Sequence, residues 1–159
     1  MANTITQGTD LMIFIKGGTA QAPTYTPIAC ATNHSLSISA ETSDTSHKDI
    51  VGYWKSSSIK TLSWELSTEN LFSVDATGGK AYVDLFDAMT SRTELEVVFG
   101  LKSASDTTLP WELATASADA PQYKGKVVIT SLQLNAPNGD NASYTATFTG
   151  VGELSKVAS

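Results

Sequence analysis

The stretch VVITSLQL, residues 127–134, is followed by NAPNGDN, residues 135–141, and then by ASYTATFTGVGEL, residues 142–154. The first and last blocks read as strands, and the middle block carries the Asn-Gly and Gly-Asp pairs that a tight turn requires. The third block alternates almost without error. Tyr144, Ala146 and Phe148 fall on one face, while Ser143, Thr145, Thr147 and Thr149 fall on the other. A sheet face of small hydroxyls with hardly a charge is an unusual solvent side for a free monomer. It suits a wall that other molecules slide past or that sister subunits meet.

Working back toward the N-terminus, the same design recurs. In residues 35–41 Leu36, Ile38 and Ala40 are expected to point inward and Ser35, Ser37, Ser39 and Glu41 outward. In residues 61–67 Leu62, Trp64 and Leu66 alternate with Thr61, Ser63, Glu65 and Ser67. Residues 95–101 place Leu95, Val97, Phe99 and Leu101 on one side. Within residues 123–134 the inward phase changes between Val127/Ile129 and Leu132/Leu134, which predicts a bulge or burial on both faces. Leu11 to Lys16 is a first strand ended by Gly17 and Gly18, and residues 19–26, with Pro23 inside them and Pro27 directly after, are expected to be loop.

One helix is expected, over about residues 80–91, because Tyr82, Leu85, Phe86 and Met89 fall at i, i+3, i+4 and i+7. It would cover an open side of a sheet, with Asp84 and Asp87 toward water. Residues 103–122, rich in Ala, Ser, Asp and Thr, read as a long surface excursion that Trp111 and Leu113 pin down. No internal repeat divides the chain, so 1–159 is read as a single domain.

The 159 residues suffice to bury roughly 70% of the unfolded surface without a disulfide or metal. A net charge of -6 and a pI near 4.7 argue against affinity for nucleic acid, which rests on Lys and Arg contacts to phosphate. The single cysteine, Cys30, forms no intrachain disulfide, fits a reducing compartment and is expected to be a small buried apolar residue. The apolar run at residues 11–15 is too short for a leader, and nothing approaches the roughly 20 apolar residues of a membrane span. A soluble protein without membrane contact is expected.

Catalytic chemistry finds no foothold. The two histidines, His34 and His47, sit in no nucleophile motif, and with one cysteine they make no zinc set. Glu94 and Glu96 stand two apart on a solvated strand face, with no cleft implied. Gly17-Gly18 and Gly78-Gly79 lack a phosphate-loop continuation. No enzyme, cofactor or metal site is expected.

Residues 42–58 break the alternation with Ser, Thr, Asp and Gly yet hold Tyr53 and Trp54. They are read as a protruding loop or hairpin, and aromatics on a polar arm are what interface anchors look like. Asp44, His47, Lys48, Asp49, Tyr53, Trp54 and Lys55 are therefore the candidate subunit-contact residues. The competing reading folds Trp54 back onto its own domain. Several strands also lack the lysines and prolines that guard sheet edges, as an edge meant to pair with another copy would.

With these segments in view, the chain resembles the major tail tube proteins of long-tailed bacteriophages. The likeness is carried by ETSDTS (41–46), Lys48-Asp49, Gly52, Tyr53-Trp54 and Leu62-Ser63-Trp64, then by residues 82–101, LNAPNGDN (134–141) and Phe148-Thr149-Gly150. It implies a mainly β, β-sandwich or barrel-like core with one flanking helix. It also implies hexameric rings stacked into a tube for genome delivery, in the virion tail, after assembly in the host cytoplasm. Partners would be other copies of the chain, a tape measure and a tail terminator, with DNA present only in transit. Residues 42–58 would bridge subunits or rings, and residues 1–10 could join the stacking. The lumen-facing candidates are Ser35, Ser37, Ser39, Glu41, Ser63, Glu65 and Ser67, with residues 143–149 an alternative wall. A wall of hydroxyls and an occasional Glu repels DNA mildly and offers no cationic trap. Two other readings are a carbohydrate-binding β-sandwich using Tyr53, Trp54 and Trp111, and an inner-tube subunit of a contractile injection system.

Overall fold

The computed structural model describes residues 5–49, 52, 54–74, 77–103 and 107–157. The strands are β1 (Leu11–Gly18), β2 (Pro23–Pro27), β3 (Ala31–Asp44), β4 (Ser57–Leu71), β5 (Leu95–Leu101), β6 (Gln122–Asn135) and β7 (Ser143–Val157). All seven join one antiparallel sheet in the order β2-β1-β5-β6-β7-β4-β3. The helix α1 spans Tyr82–Thr90.

A flat sheet of seven strands would hold its two edges about 29 Å apart. Yet the edge strands β2 and β3 are joined by Ile28, Ala29 and Cys30 alone, a link whose four Cα steps reach at most about 14 Å. The sheet must therefore roll. Hydrogen bonds stitch the seam: the Ala29 amide donates to the Lys80 carbonyl (2.8 Å), the Lys80 amide to Pro27 (2.8 Å), and the Leu71 amide to Cys30 (3.0 Å). The outcome is the barrel-like alternative of the expected fold, built from one sheet rather than from two stacked ones.

The inside of the roll is the core. Ile13, Ile15, Val97, Phe99, Val127, Ile129, Tyr144, Ala146, Phe148, Trp64 and Leu66 form one buried cluster with Ile28 and Leu85. The alternation of β7 thus reads true. Phe14 and Val98, paired across β1 and β5, are fully buried on the opposite face, so β1 carries a continuous apolar run instead of alternation. In β6 the register shifts between Ile129 and Ser131, the bulge that the phase change predicts.

Helix α1 closes the body by sinking Leu85 into the cluster and setting Tyr82 against Tyr144 at 5.2 Å between ring centroids. Phe86, expected on the buried stripe, is 48% exposed. Asp84 does not simply face water, because its carboxylate accepts the Ala81 amide at the helix N-terminus (3.0 Å). The excursion after β5 returns to it: the Ser103 amide donates to Glu112 (2.7 Å), the Ala114 amide donates to Leu101 (2.9 Å), and Lys102 lies 4.2 Å from the Trp111 ring centroid.

Three further expectations fail. Pro23–Pro27 is a strand, not a loop, and its prolines are tolerated because β2 is an edge. Cys30 is exposed, not buried, and holds a left-handed conformation (φ 55°) in the seam turn. Ile38, Ala40 and Leu62 are not core residues, since β3 and β4 run on past the body and leave them exposed.

Candidate functional site

Two features stand out on the four long strands, and both grow from the pairing of β3 with β4. Trp64 marks where the body ends. Its indole lies flat over Gly125 of β6 and Gly150 of β7, where a Cβ would collide with the ring, and its Nε1–H donates to the Gly152 carbonyl (3.0 Å). Gly152 itself has φ 76° in an irregular part of the β6–β7 ladder, where two steps of β6 oppose four of β7. Beyond Trp64 the two strands leave the sheet as a free arm. From Ile38, which pairs with Trp64, six further residues of β3 carry the arm roughly 20 Å out to Asp44.

The arm keeps the alternation of the body but, among the described residues, has nothing to bury it against. Ile38 is 58% exposed and Leu62 68%. A register shift then occurs: Glu41 pairs with Thr61 and Thr42 with Ile59, leaving Lys60 as an extra residue. Strict alternation would put Ile59 on the hydroxyl face with Thr61 and Ser63. The bulge returns it, opposite Thr42, to the face of Ala40 and Leu62. The result is an uncovered apolar row of Ile38, Ala40, Leu62 and Ile59 on one side of the arm. Reading the sequence alone missed this row as a surface, and missed Ile59 altogether.

At the neck of the tip, the Thr45 amide donates to the Ser56 carbonyl (3.0 Å) and the Thr45 and Ser56 hydroxyls lie 2.9 Å apart. Asp44 accepts the Ser46 amide (2.8 Å) and lies 3.3 Å from the Lys55 ammonium. Hydrogen bonding from Ser46, helped by Lys55, holds the Asp44 carboxyl below its ordinary value. Of the candidate contact residues, Asp44 and Lys55 are thus brought together, while His47, Lys48 and Asp49 are exposed on the turn. Trp54 is 89% exposed and does not fold back onto the body. Tyr53 lies outside the described residues.

The opposite face collects the hydroxyls. Register carries one row through Ser35, Ser67, Thr147 and Ser131, and the next through Ser37, Glu65, Thr149 and Val128. Ser39 pairs with Ser63 and Glu41 with Thr61, whose hydroxyl donates to the Glu41 carboxylate (2.9 Å). Thr130 and Thr149 hydroxyls lie 3.1 Å apart. All seven residues expected to face a lumen therefore share one surface, and residues 143–149 are the same wall rather than a rival one. Along its rows stand the carboxylates of Glu41, Glu65 and Glu69, with no lysine or arginine between them.

Among the described residues, no group of three His, Cys, Asp or Glu side chains could hold a metal ion. Glu96 is tied to Lys16 at 3.2 Å. Among the described residues, no helix is long and apolar enough to cross a membrane.

A family model described as phage tail tube protein matches residues 5–156. No curated protein sequence matches the chain. Among solved structures, it is similar to a chain in the tail of an empty gene transfer agent particle refined with C6 symmetry, at 20% identity and TM-score 0.67, covering 95% of this chain and 98% of that one. It is similar to the SPP1 tail tube protein at 10% identity and TM-score 0.68, over 96% of this chain and 79% of that one. It is also similar to a chain of the anti-feeding prophage baseplate, at 11% identity and TM-score 0.61, over 98% and 97%. At such identities these likenesses speak to the fold, and the family match speaks to membership. The chain belongs to the phage tail tube protein family.

Proposed function

We propose that six copies of this chain form a ring, that rings stack into a hollow tube in the virion tail, and that genome DNA passes through the bore. The observation that carries this reading is the two-sidedness of the β3–β4 arm and the sheet it continues. One side is hydroxyl and carboxylate, with no cation in the rows through Ser35 and Ser37, and the other is an apolar row that the lone subunit leaves in water. Several uncovered apolar side chains on a two-stranded arm fit a surface completed by a neighbouring copy. The C6 symmetry of the gene transfer agent tail supports six as the number.

In this arrangement Ser35, Ser37, Ser39, Glu41, Ser63, Glu65 and Ser67 line the bore. Their hydroxyls exchange hydrogen bonds with water, and the carboxylates keep polyanionic DNA from lodging. Asp44, His47, Lys48, Asp49, Tyr53, Trp54 and Lys55 contact a neighbouring subunit. A tape measure within the bore and a tail terminator at its end are the further partners, and assembly takes place in the host cytoplasm.

Negative-stain microscopy of the concentrated protein tests the reading. Rings or hollow rods are expected, and a uniformly monomeric sample overturns it. The assignment of the bore has its own test. Glu65→Lys places a cation on the wall, so particles carrying it should deliver their genome more slowly at unchanged tube length, and unaltered delivery kinetics would remove that strand from the bore.

A further inference from the structure

The link from β6 to β7 holds Asn135, Asn138 and Asn141, and of these only Asn138 is followed by glycine. β6 ends at Asn135, which pairs with Ser143, so Asn138 and Gly139 stand outside the ladder at the tip of the turn. Both are exposed. Gly139 has φ 83°, and a Cβ added there would meet no atom within 4 Å. Among the described residues, no hydrogen bond engages the Asn138 side chain or the Gly139 amide.

Such a pair can react with itself. Attack of the Gly139 nitrogen on Cγ of Asn138 forms an N–Cγ bond and breaks the Cγ–Nδ2 bond, and the amide proton leaves with the nitrogen as ammonia. Water then opens the resulting cyclic imide at either of its carbonyls. One opening gives aspartate at position 138, and the other gives isoaspartate, in which the chain runs through the side-chain carbon. Both reacting groups belong to one chain, so ring closure needs no bimolecular encounter, only the right approach. At most positions the next residue's Cβ hinders that approach and packing holds the backbone still. At Gly139 there is no Cβ, and open space surrounds it.

We propose that Asn138 is a self-modification site, converted by water and without an enzyme to aspartate and isoaspartate. Each conversion exchanges a neutral amide for a carboxylate beside Asp140 and adds a unit of negative charge to a chain already at -6. The turn lies at the end of the hydroxyl wall away from the arm: Ser143 is level with Leu71 of β4, whereas the arm leaves beyond Trp64. In the tube proposed above, the new charges therefore gather at one rim of each ring. The reaction itself needs no tube.

Peptide mapping of the folded, dispersed subunit tests this. During incubation at mildly alkaline pH, the peptide carrying residues 135–141 should gain the mass of an amide-to-acid exchange at Asn138, and that position should accept a methyl group from an isoaspartyl methyltransferase. Asn135 and Asn141 are internal references, since both are exposed and followed by alanine. Asn138 should convert roughly tenfold faster than either, or more. The rate should rise with pH, because the attacking amide nitrogen must shed its proton. Asn138→Gln, whose longer side chain closes a ring less readily, should remove the acidic form that ion-exchange chromatography separates from the parent. Conversion at Asn138 no faster than at Asn135 and Asn141, or an acidic form that persists in Asn138→Gln, overturns the proposal. Because the measurement is made on dispersed subunits, its failure leaves the tube untouched, and a protein that never forms rods leaves the modification site untouched.

Discussion

Within the paired strands β3 and β4, the half inside the body and the half in the arm are written in the same alternating pattern and meet opposite fates. Leu66 is 1% exposed and Trp64 6%, whereas Leu62, one step further along the same face, is 68% exposed. Alternation decides which face a side chain joins. Whether that face is buried depends on what lies opposite. In the body, β7, β6 and α1 supply the opposing atoms, and in the arm nothing among the described residues does. In the proposed tube, a neighbouring copy covers that apolar row.

The largest effect should come from breaking the body half at its last residue. Trp64→Ala removes the indole from over Gly125 and Gly150 and should destabilise the subunit by about 3–5 kcal/mol in denaturant unfolding. A change below about 1 kcal/mol would mean that Trp64 does not anchor the arm. His34, also on the body half, gives a pH signature. Its folded pKa is about 4 against an ordinary 6.5, so the unfolded chain takes up a proton that the folded chain refuses. Stability should fall as pH drops from 6.5 toward 4, by roughly 3 kcal/mol, and then level off. His34→Leu should remove that component, which the difference between the two pH profiles of unfolding free energy isolates.

Gly150→Ala should cost about 1–3 kcal/mol by driving a methyl group into the Trp64 ring. The smallest stability effect belongs to the arm. Ile38→Ser with Leu62→Ser should leave the dispersed subunit within about 0.5 kcal/mol of its original stability, because neither side chain is buried there. The same pair should abolish rod formation in sedimentation assays. If instead the double variant unfolds the subunit, the contrast between the two halves is wrong.

How far these features can be read from sequence follows the same physics. β7 is legible because one of its faces is buried along most of its length, so burial and alternation coincide at Tyr144, Ala146 and Phe148. The helix is legible from its stripe, although Phe86 shows that a stripe can be wider than the surface available to bury it. The hydroxyl face emerges strand by strand, and only the register shows that its segments form a single wall. β2 is hidden because Pro23 and Pro27 read as loop residues, and only an edge position makes them acceptable in a strand. Ile59 is hidden by the bulge at Lys60, which changes its face without any local residue signalling it. A groove of about 630 Å³ beside the start of β3 is hidden more deeply. Its walls come from residues near 10, 30 and 110, brought together by the rolling of the sheet, and no spacing in the chain joins them.

In the proposed tube the two faces of the β3–β4 arm have separate tasks, one turned to the bore and one covered by a neighbouring copy. A helical reconstruction of assembled rods tests this directly. Ser37, Glu65 and Thr149 should lie on the inner surface, and Ile38, Leu62 and Ile59 should be buried against an adjacent subunit. Rods in which that apolar row faces solvent, or in which the hydroxyl wall lies on the outside, would contradict it.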